Sequence, residues 1–226
     1  TLGGQAGSFA LSDELNLNNP NGLIVQDSTA LKLNGGLSIN SGGVLRLSKD
    51  LDTGTAKIKL NGGLLAIDND ITLNSSITHL AASTIKIAEN KTLNYEGMTF
   101  KVGASALSIN GGGSFTNTNP IELDNEVSQL KLSGINLNYL RTSSDSLGLV
   151  VETSSTINEM TVGHLIPVSI NENQSLDGII EVFSNGNLQL NNFGNLAADV
   201  IMKGDAYGSA SVGGILEVQE SLTFSG

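Results

Sequence analysis

The chain has 226 residues, no Cys or Trp, 27 Gly and 3 Pro, and 22 Asp plus Glu against 11 Lys plus Arg, a formal net charge of -11. That charge argues against nucleic acid and anionic lipid as partners, since both are polyanions. Without cysteine there is no disulfide scaffold, zinc knot or thiol nucleophile, and no apolar run reaches the roughly 18 residues of a membrane span.

The first seven residues, Thr1-Leu2-Gly3-Gly4-Gln5-Ala6-Gly7, carry no Met, basic segment or apolar stretch, and are read as the start of a mature chain or of a piece cut from a longer one. A repeat follows. Leu31-Lys32-Leu33-Asn34-Gly35-Gly36-Leu37-Ser38-Ile39 returns as Ile58-Lys59-Leu60-Asn61-Gly62-Gly63-Leu64-Leu65-Ala66-Ile67, with Asn34 and Asn61 separated by 27 positions. Leu107-Ser108-Ile109-Asn110-Gly111-Gly112 is a third copy, and weaker echoes begin at Thr92, Leu130, Leu188 and Val212. A second element, Ile85-Lys86-Ile87-Ala88-Glu89-Asn90-Lys91-Thr92-Leu93, returns as Val168-Ser169-Ile170-Asn171-Glu172-Asn173-Gln174-Ser175-Leu176.

Apolar residues alternate within each copy, as in Leu31/Leu33, Leu37/Ile39 and Leu45/Leu47, which is the period of a strand with one buried and one solvated face. Gly, Asn, Ser or Asp breaks the run about every seven residues. Three short strands and their turns would use one step of about 25 residues, the size of one solenoid coil. The pattern predicts an all-β parallel β-helix, a single β-solenoid domain over 1–226 of about nine coils of roughly 25 residues, some 43 Å long. Leu60 is placed inward. The repeat is most regular at 30–138, and an irregular excursion is expected around 139–167, where a binding loop would be sought first. The recurring Asn34, Asn61 and Asn110 have two readings: plain turn formers before Gly, or an amide ladder climbing from coil to coil.

The Leu-Asn-Gly-Gly-Leu-x-Ile repeats and the segment Ile87-Ala88-Glu89-Asn90-Lys91-Thr92-Leu93-Asn94-Tyr95-Glu96-Gly97 resemble the β-helical passenger regions of bacterial autotransporters and haemagglutinin-like surface adhesins. The resemblance covers residues 30–138 best and carries over no functional residue. It implies export to the bacterial cell surface or beyond, and a role in adhesion, self-association or surface display.

Parallel β-helices also include polysaccharide lyases and glycosidases, whose chemistry needs a pair of facing carboxylates. The nearest is Asp68 with Asp70, with Lys57, Lys59 and Lys86 nearby; the two arginines, Arg46 and Arg141, are far apart. A solvated turn is the plainer reading of that pair. His79 and His164 lack the company of a pectin-hydrolase signature and are expected to be surface or partly buried histidines. No nucleophile elbow, Walker loop or zinc-ligand cluster is present. Asp50/Asp52, Asp68/Asp70 and Asp124/Glu126 are the pairs that offer oxygen ligands for calcium, and each would need about six or more oxygens supplied by the fold. Tyr95, Tyr139 and Tyr207 are thin material for a sugar platform, and Phe100, Phe115, Phe183 and Phe193 are expected to fill the core.

The sequence therefore predicts no catalytic residue and no cofactor, and a structural or adhesive rod whose partner is itself, head to tail or laterally, or a host or cell-surface ligand. The alternative is a polysaccharide-processing β-helix enzyme or tailspike-like depolymerase. The alternating C-terminal run Leu216-Glu217-Val218-Gln219-Glu220-Ser221-Leu222-Thr223-Phe224 is expected to pair with further chain or with another copy.

Overall fold

A computed structural model describes residues 8–25, 30–51, 53, 55–191, 194–203 and 215–218. Among them are 26 strands and no helix, and every strand ladder is parallel. The strands wind into a β-solenoid of about nine turns. Its first face is one ladder of ten strands: Leu23–Val25, Val44–Leu47, Leu64–Ile67, Ser83–Ile87, Ala106–Asn110, Gln129–Ser133, Gly148–Thr153, Leu165–Ile170, Asn187–Leu190 and Ile215–Val218. The second face contains Ile71–Leu73, Thr92–Tyr95 and Ser114–Asn117; the third contains Leu15–Leu17, Leu37–Asn40, Ile58–Asn61 and Ile77–Ala81, followed by Phe100–Val102 and Ile121–Leu123. Ser8–Leu11 pairs with Ala30–Leu33.

Alternation drives this arrangement. On the first face Leu45, Leu65, Ile85, Ile109, Leu132 and Val151 stand in register and are buried, while Arg46, Lys86 and Asn110 form an outward column beside them, with the small Ala66 in the same register but covered. Leu60 is fully buried, as its position predicts. Each buried Leu or Ile contributes about 1.5–3 kcal/mol, and it does so only with a coil above and below to close over it.

The spacing differs from an even 25. Residues in register are 19 positions apart from Leu132 to Val151, 24 from Ile85 to Ile109 and 28 from Leu190 to Val218. The Asn-Gly-Gly copies accordingly sit at three different places. Asn61 is in register with Asn40, Asn34 lies in the turn before Leu37–Asn40, and Asn110 ends a first-face strand in register with Lys86. The motif is corner chemistry that any corner accepts. An amide ladder does form, with Asn40 in the place expected for Asn34: Asn40 Nδ2 donates to Asn18 Oδ1 at 2.8 Å and Asn16 Oδ1 at 3.2 Å, and Asn61 Nδ2 donates to Asn40 Oδ1 at 2.9 Å. The second repeated element encodes a real equivalence. Asn90 and Asn173, at φ of 58° and 60°, are the non-glycine residues with left-handed backbone among those described, and each turns the chain off a first-face strand.

Residues 139–167, expected to leave the repeat, belong to it. Asn136–Thr142, Gly148–Thr153, Ser155–Val162 and Leu165–Ile170 are laddered on both sides. The sequence misleads there because the coil changes cross-section. Asn136–Thr142, Ser155–Val162 and Ser175–Val182 are seven or eight residues long and run across the second and third faces without a turn. Asn117, 3% exposed, begins that change. Its amide donates to the Tyr139 carbonyl at 2.8 Å and accepts the Tyr139 N–H at 3.1 Å, standing in for a strand where the backbone has turned away.

Candidate functional site

The third-face ladder is interrupted between Ile77–Ala81 and Phe100–Val102. The former pairs with Ile58–Asn61 and the latter with Ile121–Leu123, and no ladder joins the two. The register of Ile77–Ala81 shifts between His79 and Ala81, which throws Leu80 outward to 53% exposure. Two buried side chains take over part of the missing pairing. Tyr95, packed against Phe100 and Phe115 with ring centroids 6.0 and 5.9 Å away, accepts the Ile77 N–H on its Oη at 3.1 Å. His79 Nδ1 accepts the Gly103 N–H at 3.1 Å. A Cβ at position 103 would lie 2.4 Å from the His79 carbonyl oxygen, so the approach requires glycine.

The break opens a lateral groove of 670 Å³. Lys57, Ser76 and Thr78 line it from one side, Thr99, Lys101, Glu122 and Arg141 from the other, with His79 and Gly103 between and Met98 exposed at the rim. Lys101, Glu122 and Arg141 are in register on successive coils. Glu122 is buried; Arg141 donates to its Oε1 from Nη2 at 2.6 Å and Nε at 3.1 Å, and Lys101 Nζ is 3.7 Å from its Oε2 and 2.7 Å from Asp124. Burial disfavours the Glu122 carboxylate, but hydrogen bonds from Ser143 and Arg141 and the charges of Arg141 and Lys101 outweigh it and hold its pKa below the ordinary value. A carboxylate so engaged is set up to fix two cations rather than to deliver a proton.

His79 is buried rather than superficial, at 4% exposure. Burial pushes its pKa down, with the carbonyls of Ala106 and Ala81 acting weakly the other way. With Nδ1 as acceptor, the hydrogen-bond network assigns the proton of the neutral ring to Nε2, which has no hydrogen-bond partner.

The residues singled out in the sequence do not converge. Asp68 accepts from Arg46 Nη1 at 2.9 and 3.1 Å, and Asp70 accepts the Thr92 N–H at 2.9 Å, as Asp50 does the Thr72 N–H at 2.7 Å. They tie one coil to the next at a corner and do not face each other across a cleft. Lys59 pairs with Glu14, and Lys86 stands outward on the first face. His164 is half-exposed, 3.8 Å from Asp145. Asp124 is engaged by Lys101 and Glu126 is exposed in the next turn; Asp52 lies outside the described residues. Among the described residues no three His, Asp or Glu side chains are grouped to hold a metal ion.

Tyr95, Phe100 and Phe115 fill the core, whereas Phe183 is exposed, which corrects the expectation for it; Phe193 and Tyr207 lie outside the described residues. Phe183 fails to bury because it follows the last residue of Ser175–Val182 and sits at the corner outside the strand alternation. The Lys101-Glu122-Arg141 stack escaped sequence reading. Its signal is a change of charge sign at spacings of 21 and 19 positions, which becomes visible only once the true coil length is known. Comparisons with protein-family models, curated proteins and solved structures give no match for this chain.

Proposed function

We propose that this chain is a structural and adhesive rod segment of an exported bacterial surface protein, of the kind formed by autotransporter and haemagglutinin-like passengers. It acts without catalysis, as a stiff spacer that displays its lateral surfaces to a host or cell-surface ligand or to another copy of itself. The observation that carries this reading is the first-face ladder of ten parallel strands, with buried aliphatic residues in it from Leu23 to Leu188. Such a ladder resists bending because every coil is bonded to its neighbours. Val127, Leu147 and Phe183, exposed along the corner between the third and first faces, support lateral self-association. The polysaccharide-processing alternative loses its carboxylate pair, since Asp68 and Asp70 are engaged elsewhere.

Electron microscopy of negatively stained particles, with sedimentation across a concentration series, tests the reading. Rods that resist protease and gain mass with concentration are expected. Compact or flexible particles would overturn the rod, and a strict monomer at high concentration would remove self-association. Turnover of acidic or neutral polysaccharides that Asp68→Asn abolishes would favour the enzyme instead.

A further inference from the structure

We infer that the groove at the third-face break is a binding site for an acidic saccharide, with a uronate carboxylate held between Lys57 on one wall and Lys101 and Arg141 on the other. This goes beyond the rod reading, because a rod needs no such site.

Charge is the first argument. The chain has 11 Lys and Arg against 22 Asp and Glu, yet three basic residues and one acidic residue line this groove, and counting Asp124, which pairs with Lys101, the cations still outnumber the carboxylates there by three to two. On so acidic a molecule a local excess of cations is the feature that draws in an anion. Lys101 and Arg141 are held in place by Glu122 and Asp124 rather than swinging freely. Lys57 is exposed and forms no ion pair among the described residues.

Hydrogen-bonding capacity is the second argument. Ser76, Thr78 and Thr99 bring hydroxyls to the walls, and the facing edges of Ile77–Ala81 and Phe100–Val102 carry peptide groups that no ladder between them uses. Hydroxyls and cations together match a ligand rich in hydroxyls that also bears a carboxylate. The lining disfavours the other anionic ligands. Among the described residues no Phe, Tyr or Trp lines the groove, and the one ring there, His79, is buried and bonded to Gly103 rather than presented as a face for a base to stack on. Met98 is the exposed apolar side chain available to anchor a peptide.

The test is an NMR titration of the full chain with three probes: a galacturonic acid tetramer, a neutral galactose tetramer and tetra-aspartate. Saturable shifts of the Thr78, Thr99 and Gly103 amides with the acidic tetramer are expected, weakening as salt is raised. Lys57→Gln should weaken binding about tenfold, the loss of one charge-assisted contact, while Lys131→Gln on the first face leaves it unchanged. Both lysines are surface residues, and equal melting temperatures would show that the variants fold. The site is overturned if the acidic tetramer gives no saturable shift, if the neutral tetramer binds as well, or if Lys57→Gln binds like the parent chain. Tetra-aspartate binding as tightly as the uronate would overturn the saccharide assignment. None of these outcomes touches the rod reading, which rests on particle shape.

Discussion

His79 Nδ1 accepts the Gly103 N–H at 3.1 Å across a gap that no backbone ladder spans, so a side chain joins two coils on their third face. Burial depresses the pKa of this ring from 6.5, and protonation would also remove the acceptor. The unfolded chain therefore takes up the proton at higher pH than the folded one. The contribution is fully present above pH 6.5 and is lost as pH falls through the depressed value. Urea midpoints measured at successive pH values should fall below pH 6.5, and His79→Leu should flatten that slope. An unchanged slope in the variant would refute the assignment. Against its burial, Glu122 is held below its ordinary value by Ser143 and Arg141, so the His79→Leu comparison, which leaves Glu122 in place, isolates the histidine.

Arg141→Ala strands a buried carboxylate with one distant cation, Lys101 at 3.7 Å. The expected loss is about 3 kcal/mol, larger than for an exposed pair such as Arg46 with Asp68. The double replacement Glu122→Gln with Arg141→Met should recover part of the stability. Chemical denaturation of the three proteins checks the order.

Leu60→Asp introduces a charge at a fully buried position. A cost of several kcal/mol is expected, with loss of the neighbouring coils. A melting curve equal to that of the parent chain would mean that Leu60 faces outward.

The amide ladder separates Asn40 from Asn34. Asn40→Ala removes hydrogen bonds to Asn16, Asn18 and Asn61 and should cost about 1–2 kcal/mol. Asn34→Ala, at an exposed turn, should stay within about 0.5 kcal/mol. Equal effects in thermal melts would show that the ladder contributes nothing.

Gly178 has φ of +122°, and a Cβ there would lie 1.7 Å from the Ile157 carbonyl oxygen. Gly42 has φ of +77° with open space around it. Gly178→Ala should therefore destabilise far more than Gly42→Ala, for which about 1 kcal/mol of backbone strain is expected. Comparing the two melts isolates the steric contribution.

The fold was legible because inward and outward residues alternate: Leu45 and Leu47 against Arg46 state which face is buried before any coordinate is known. The echo of Ile85–Leu93 in Val168–Leu176 was visible as well, and the structure shows that it marks an equivalent left-handed corner at Asn90 and Asn173. Register was not. Asn34 and Asn61 share a motif but not a slot, because the left-handed step that Asn-Gly supplies, at Gly36 and at Gly62, serves corners at different places on the coil. The groove was hidden for a different reason. It depends on a one-residue shift after His79, and strand periodicity carries no information about where a ladder breaks.

The interrupted ladder also sets how the rod responds to tension. Its interstrand hydrogen bonds run along the long axis, so a pull on the two ends loads them coil by coil rather than all together. Between most neighbouring coils the load is shared by the laddered faces. At Ile77–Ala81 the third face contributes the His79 and Tyr95 hydrogen bonds instead of a ladder. Under such a pull that junction is expected to open more readily than one laddered on all three faces, because two side-chain hydrogen bonds stand there in place of a ladder.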